Sequence, residues 1–390
     1  MAINNKQKTL SALTLSALAI PGIGQAEVAP AKGEFSFRST QYQEAAAPAQ
    51  RVGAGSNERY SIDVQQFHVM QPFAQKYSLS ADVTLESMSG ASPIQTYDDN
   101  GKSVLLMSGA TIEEQRMDVN LAGKRYFSEA TLGANVASSQ ENDYASLSVG
   151  MDGSLELFEK HTTLLGAFSI SNDELSPTDA SGLSNDPRTL ADGQKKHGFS
   201  LYEGVSQVID KYKVLQVGLG YNRLNGYLSD PYKGDVRPDL RESYTLTSQY
   251  RQYMRVGDGA AWHFDYRYYE DNWKVRSHTF STAWWQDFKF AGYRLAVAPN
   301  ARYYTQTQAY FYNLDLLPLT DYYSSDARLS TFGAITLGLE AQFHWPSGHV
   351  DLGFQQYFSS ETLALVEQDS RETPGLVDFT TLSLGLTLQY

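Results

Sequence analysis

The chain has 390 residues, no cysteine, 26 tyrosines and a formal net charge of −13 at pH 7. Such an acidic chain is repelled by the phosphates of nucleic acid, which argues against a nucleic-acid partner. The lack of cysteine fits a compartment in which thiols are oxidised, although on its own it decides little.

Residues 1–26 have the features of a secretory signal. Two lysines precede a short apolar run, residues 9–20, and small residues lead to a cleavage position at Ala26. The run is too short to cross a bilayer as a helix, and no later stretch is long and apolar. We therefore expect residues 1–26 to be a cleaved signal peptide and residues 27–390 to form one exported domain.

Large apolar and small polar residues alternate through the rest of the chain, which is the pattern of β-strands with two different faces. Short turns and mostly longer loops separate these segments in alternation, as in bacterial outer-membrane barrels, whose strand number is even. The pattern predicts about sixteen strands, which begin near residues 33, 59, 77, 117, 130, 145, 164, 199, 215, 244, 262, 279, 293, 329, 350 and 381.

The last predicted strand, Thr381–Tyr390, shows the alternation most clearly. Its large residues share one face, and the chain stops on an aromatic residue in phase with the leucines. This pattern is typical of the closing strand of Gram-negative outer-membrane barrels, whose final aromatic residue is read by the barrel-assembly machinery. An edge strand of a soluble sheet is the alternative. The predicted assembly signal consists of Leu384, Leu386, Leu388 and Tyr390.

The densest group of polar residues lies in the predicted hairpin from Trp262 to Trp285. If Tyr269 pairs with Lys274, the register places Asp265 opposite His278 and Arg267 opposite Arg276. With His263, this predicts a polar lumen cluster of His263, Asp265, Arg267, Arg276 and His278. The cluster could be a constriction, a ligand patch or a catalytic His–Asp pair, or it could simply fill a polar barrel interior. Catalysis would need a nucleophile, and Ser277 faces away from His278, so we assign no catalytic residue.

A second motif lies in the long loop that follows residue 225. Its prolines fix turns and its charged groups can pair across the loop, so it is either solvent-exposed loop structure or part of a ligand site. The candidate residues are Asp230, Pro231, Tyr232, Arg237, Asp239 and Arg241. The scattered histidines and the Asp98-Asp99-Asn100-Gly101 turn do not have metal-site spacing, so we predict no metal and no cofactor.

Several short motifs together carry a family resemblance: Ser89-Gly90-Ala91-Ser92-Pro93, Ser108-Gly109-Ala110, Asp230-Pro231-Tyr232, Arg237-Pro238-Asp239, Asp265-Tyr266-Arg267-Tyr268-Tyr269, Trp273 and Ser277-His278-Thr279. In these motifs the chain resembles the proteobacterial family catalogued as domain of unknown function 3570. The resemblance covers nearly all of the mature chain and implies an outer-membrane location. Some relatives are encoded beside a flavin-transferring lipoprotein and a thioredoxin-like protein, which implies a link to an envelope redox system.

These observations predict an all-β protein: a single closed antiparallel transmembrane barrel in the outer membrane of a Gram-negative bacterium. The predicted role is a porin-like channel or an envelope scaffold, with outer-membrane lipid, the assembly machinery, and small solutes or envelope lipoproteins as partners. Acidic residues in the lumen would favour cations. Two alternatives stay open: a barrel enzyme that uses a lumenal His–Asp pair, and a secreted soluble β-sandwich adhesin.

Overall fold

The computed structural model describes residues 29–109, 112–314, 321–366 and 372–390. The predicted signal peptide lies outside these ranges. Within them, no helix is long and apolar enough to cross a membrane.

Almost all of the regular structure is β-strand. The strands are β1 (Glu34–Glu44), β2 (Val52–Ala54), β3 (Ser61–Phe73), β4 (Tyr77–Gly90), β5 (Pro93–Asp99), β6 (Lys102–Met107), β7 (Ile112–Tyr126), β8 (Ala130–Gln140), β9 (Tyr144–Leu157), β10 (Thr162–Leu175), β11 (Lys195–Asp210), β12 (Lys213–Gly226), β13 (Leu240–Met254), β14 (Ala260–Asp271), β15 (Arg276–Phe290), β16 (Tyr293–Gln306), β17 (Phe332–Trp345), β18 (Gly348–Ser360) and β19 (Phe379–Gln389). Among the described residues there is one short α-helix, α1 (Pro187–Ala191), between β10 and β11, and there are three 3₁₀ turns, Ala49–Arg51, Ala327–Leu329 and Glu361–Leu363.

Sixteen of these strands form one closed antiparallel barrel. Its order is β1-β19-β18-β17-β16-β15-β14-β13-β12-β11-β10-β9-β8-β7-β4-β3, and β3 pairs back onto β1 to close the ring. The predicted closed barrel of about sixteen strands is therefore confirmed, and the β-sandwich alternative is wrong. Closure leaves no unpaired sheet edge, which is what a β protein needs within a bilayer.

The ring closes through the last predicted strand. β19 pairs with β1 from Glu34 opposite Gln389 to Glu44 opposite Phe379. Just beyond, Gly33 and Tyr390 exchange backbone hydrogen bonds of 2.9 and 3.0 Å. The weak strand predicted at residues 33–43 is thus a full member of the barrel, and without it the ring could not close.

The outer face of the barrel is apolar over its whole circumference. Side chains that alternate along the strands point away from the lumen and keep about half of their surface exposed: Leu79, Leu121, Leu132, Leu147, Ile170, Leu219, Leu337, Leu352, Leu382 and Leu384. In water this exposure would be unfavourable at about 25 cal/mol per Å², whereas in lipid it carries no such cost. The outer face of the barrel therefore lies in the bilayer.

The two ends of the barrel differ. At one end, which we call the turn end, short connections join the strands and the two termini of the barrel meet. At the other, the loop end, lie the long connections, of which the structure describes residues 45–60, 91–109, 176–194, 227–239, 307–314, 321–331, 361–366 and 372–378. Two of these loops contribute β2, β5 and β6 to a small separate sheet, where the sequence predicted only loop.

Candidate functional site

The barrel encloses a cavity of about 800 Å³ toward the loop end. Its wall contains many small hydroxyl side chains, among them Ser146, Ser148, Ser169, Ser171, Ser200, Ser243, Thr245 and Thr247. They point inward because every second residue of a strand shares a face. Small side chains cannot fill a ring of this size, so a water-accessible space remains.

Charges in the lumen are distributed unevenly around the ring. Strands β4 and β7–β10 carry seven inward-facing acids: Asp82, Glu86, Glu114, Asp118, Asp152, Glu156 and Asp173. Strands β13–β16 carry most of the inward-facing arginines: Arg241, Arg251, Arg267, Arg294 and Arg302. Since β14 lies half the ring away from β4, an acidic wall faces an arginine-rich wall across the lumen. Such an arrangement creates a field perpendicular to the barrel axis.

The predicted lumen cluster on the β14–β15 hairpin forms only in part. Asp265 pairs with Ser281 and Arg267 with Thr279, whereas His278 pairs with Tyr268. His263, Asp265 and Arg267 therefore face the lumen, as predicted. Arg276 and His278 face outward, and the prediction that they join the cluster is wrong.

The register differs because the hairpin loop is built around Asp271. The Asp271 backbone pairs with Val275, its carboxylate accepts the Val275 N–H at 2.9 Å, and Lys274 adopts a positive φ of 71°. This is a three-residue hairpin loop with a left-handed third residue. It moves β15 by three positions relative to the predicted pairing, and an odd shift reverses the face of every side chain. The His278–Asp265 pair required by the enzyme alternative does not form.

A different His–Asp pair lies in the lumen. His68 Nδ1 lies 2.6 Å from Asp82 Oδ1, and Asn120 donates to the other carboxylate oxygen at 3.1 Å. Ser36 is the cross-strand neighbour of His68, but its hydroxyl contacts Thr387 at 2.9 Å and Glu34 at 3.4 Å instead. The serine is therefore not activated by the histidine. We find no nucleophile–base pair in this row of side chains.

The loop end is covered by a cap, by which we mean the described parts of loops 45–60, 91–111, 227–239, 307–331 and 361–378. Direct contacts hold these loops together. Thr96 N–H donates to Ser325 Oγ at 3.1 Å, and Val236 forms a β-bridge with Tyr323. Leu365 N–H donates to Thr305 Oγ1 of β16 at 3.0 Å, which ties the last loop to the barrel. Arg328 reaches from the cap to the cavity wall, so the cap bounds the cavity at this end.

The predicted loop motif forms the charged centre of the cap. Asp235 binds Arg237, and Lys233 and Arg237 both bind Asp326 of the neighbouring loop, at 2.8 and 3.0 Å. Arg328 adds a further ion pair to the same Asp326 carboxylate. Asp230 accepts the N–H of Tyr232, and Pro231 is fully buried. Burial would raise the pKa of Asp326, but the charges of Arg328 and Lys233 hold it well below its usual value.

The remaining motif residues take separate places. Arg241 pairs with Asp271 at 2.8 Å and lies 4.5 Å from the ring centre of Trp273. Asp239 is exposed. The sequence thus indicated one half of the ionic network. It gave no signal for Asp326 and Arg328, which lie in a predicted loop distant in the chain.

An acidic cluster lies beneath the cap. Oxygens of Glu114, Glu141 and Asp143 lie within 4.8 Å of one another, a spacing at which carboxylates can hold a metal ion. Tyr232 of the cap donates its hydroxyl to Asp143 at 2.5 Å. Burial, followed by the charge of Asp143, raises the pKa of Glu141 to about 8. At neutral pH a proton on Glu141 therefore relieves the repulsion within this cluster.

Comparisons with known proteins agree with the fold. The family model described as "Protein of unknown function (DUF3570)" matches residues 10–368. A bacterial polysaccharide outer membrane secretin is similar at TM-score 0.51 and 8% identity, covering 92% of this chain and 98% of the other. CdiB from Acinetobacter baumannii is similar at TM-score 0.51 and 12% identity, covering 92% of this chain and 60% of the other. No protein with a curated description matches the sequence.

Proposed function

The chain belongs to the DUF3570 family, and on the geometry of this member we propose that it is a porin-like channel for small hydrophilic solutes, with a cap over its loop end. The observation that carries the proposal is the cavity of about 800 Å³ inside a closed ring of sixteen strands. Sites for small molecules typically have volumes of about 300–1,000 Å³, so the cavity can hold a small solute.

The hydroxyl side chains of the wall favour the passage of a hydrophilic solute over the binding of an apolar molecule. Hydroxyl side chains exchange hydrogen bonds with water at little cost, so a hydrated solute can move along them without stripping its water. The opposed acidic and arginine-rich walls would orient a polar solute across the axis. A lumen filled by large side chains would have supported a purely structural barrel, and the serines of β9 and β10 argue against that.

Because the cap covers the loop end, the proposed channel has to open there before a solute can pass. Ion pairs and hydrogen bonds join its loops, and Arg328 extends from it to the cavity. Passage through the loop end then requires at least part of the cap to move. Loop motion on the microsecond-to-millisecond scale is the ordinary way in which such covers act.

Conductance of the purified, folded protein in a planar bilayer tests the proposal. Folding is checked first by heat-modifiable migration on a gel, because an unfolded barrel would also be silent. We expect discrete conductance steps. A folded protein that stays silent both at rest and after the cap has been weakened by substitution would overturn the channel and favour a scaffold for an envelope partner.

A further inference from the structure

Two arginines of the lumen wall differ from the others. Among the described residues, five inward-facing arginines each have a carboxylate partner: Arg38 with Asp351, Arg116 with Glu86, Arg241 with Asp271, Arg251 with Asp265 and Arg294 with Asp287. Arg267 and Arg302 have no such partner. Each instead lies near the face of a tyrosine, Arg267 at 5.4 Å from Tyr269 and Arg302 at 5.9 Å from Tyr304.

The strand pairing brings these two arginines to one patch. Arg267 lies opposite Thr279, and Thr279 lies opposite Tyr304 on the next strand. Arg302 is two residues from Tyr304 and therefore points to the same face, one step nearer the turn end. The positive charge of Arg302 is among those that act on Arg267. Two cations without a carboxylate partner thus flank β15 on the lumen face, where the other arginines of this wall are neutralised.

The Thr279 hydroxyl, on the strand between Arg267 and Arg302, lacks a hydrogen-bond partner among the described residues. Thr279 is 8% exposed, and its Oγ1 makes no hydrogen bond to any described residue. Buried hydroxyls are normally hydrogen-bonded, so an orphan at this position indicates a group that is supplied from the lumen. The neighbouring charges are both positive, which selects an acceptor that carries negative charge.

We propose that Arg267 and Arg302, with the Thr279 hydroxyl between them, form an oxyanion-binding site for the carboxylate or phosphate group of a small solute in the lumen. The planar guanidinium fork matches the geometry of both groups, and tyrosine faces hold the arginines in place without neutralising them. The inference rests on the proposed channel for its physiological role, but the site itself is independent of conduction. It adds an anion-binding patch to a lumen whose acidic residues we expect to favour cations.

Two measurements on the full-length, folded protein test the site. The first is the reversal potential in a potassium chloride gradient, for wild type, for R267Q/R302Q and for R251Q. R251Q removes one lumen charge from the neighbouring strand, but from an arginine that is already paired, and is the matched control. We expect the chloride-to-potassium permeability ratio to fall roughly three- to tenfold in the double variant, because a unit charge in water changes the energy of an ion several ångströms away by an amount equivalent to about this factor. The ratio should change less in R251Q.

The second measurement does not depend on conduction. Phenylglyoxal modifies accessible guanidinium groups, and peptide mapping reports the extent at each arginine. We expect Arg267 and Arg302 to be modified in the folded barrel and to be protected by added inorganic phosphate, by acetate, or by both. The pattern of protection distinguishes a phosphate from a carboxylate preference, and the R302Q variant, which alters an exposed side chain, shows whether Arg267 alone suffices.

The outcomes separate the two proposals. Conductance with unchanged selectivity in R267Q/R302Q, or modification that neither anion slows, would overturn the oxyanion site and leave the channel. Protection by an anion in a protein that never conducts would support the site and overturn the channel.

Discussion

Arg237 and Asp326 lie 89 residues apart in the sequence, and their side chains form an ion pair of 3.0 Å in the cap. Asp326 also binds Lys233 and Arg328, and its side chain is only 4% exposed. One carboxylate therefore joins the β12–β13 loop to the β16–β17 loop. In this buried network, removal of the anion that the three cations share leaves Lys233, Arg237 and Arg328 with only Asp230 and Asp235 as counter-charges.

Replacing Asp326 with asparagine should loosen the cap. Breaking a buried ion pair by removing one partner typically costs about 3–5 kcal/mol, more than a surface loop can absorb without local opening. We expect faster amide hydrogen exchange in residues 227–239 and larger or more frequent conductance steps, with the barrel strands unchanged. Asp239→Asn, an exposed position in the same loop, is the matched control. Equal exchange in both variants would contradict the role of Asp326.

The ionic centre of the cap should be insensitive to mild acid. The pKa of Asp326 is held well below its usual value in the folded protein, chiefly by Arg328 and Lys233 against the effect of burial. A carboxyl whose folded pKa is depressed contributes stability above its unfolded pKa and loses it only as the pH falls through the folded value. We therefore expect exchange protection in residues 227–239, corrected for intrinsic rates, to persist down to about pH 5. A loss of protection between neutral pH and that value would contradict this assignment.

Glu141 should give the opposite pH dependence. Its folded pKa is raised to about 8, first by burial and then by Asp143. A group with a raised folded pKa gives stability that is fully present below its unfolded pKa and is lost as the pH rises through the folded value. The wild-type barrel should therefore be less stable near pH 9 than near pH 6, by about 1–3 kcal/mol, because Arg116 at 3.9 Å compensates the buried Glu141 charge only in part. Glu141→Gln should remove this difference, as measured by urea titration of heat-modifiable migration. If the wild type and Glu141→Gln had the same pH dependence, Glu141 would not be the cause of the lower stability at high pH.

The fold could be predicted from the sequence more fully than the site. The fold follows from a pattern of neighbouring residues, whereas the site depends on contacts between residues that are distant in the chain. Alternation of residues such as Leu382, Ser383 and Leu384 is local, and it identifies a two-faced strand without knowledge of its neighbours. The ring followed because a lipid-facing sheet has to close. The register of the β14–β15 hairpin depended on one turn at Asp271, and an error of three residues there was enough to place His278 on the wrong face.

The cap could not be predicted for a further reason. The sequence singled out Arg237 through its proline-rich motif, but its partner Asp326 lies in a loop with no comparable signal. Arg302 could not be singled out from the sequence either. It matters because no carboxylate of the described residues pairs with it, and that depends on which side chains the neighbouring strands bring beside it.

Trp273 should be the apolar anchor of the cap. It is 2% exposed, packs edge-on against Phe311 with ring centres 5.1 Å apart, and donates its indole N–H to Leu240 O at 2.9 Å. Replacing a buried tryptophan with alanine typically costs about 3–5 kcal/mol. We expect Trp273→Ala to increase hydrogen exchange in residues 307–314 and to lower the urea midpoint. Trp262→Ala, on the same hairpin but 36% exposed on the outer face, should leave exchange in residues 307–314 unchanged. A cap that retains full protection without Trp273 would contradict this role.

The two faces of β19 offer the most direct test of the membrane orientation. Leu384 is 50% exposed and lies in the middle of the strand, opposite Leu352, whereas the adjacent Ser383 points into the lumen beside Gly353. An arginine on the lipid face near the bilayer midplane should cost about 2–4 kcal/mol, while an arginine in the lumen can remain hydrated. We therefore expect Leu384→Arg to lower the urea midpoint of the barrel in lipid vesicles and Ser383→Arg to have a much smaller effect. The two variants add the same charge to the same strand, so a difference between them reports the face alone. If both were equally destabilised, or if Ser383→Arg were the more damaging, the apolar face of the strand would not be facing lipid.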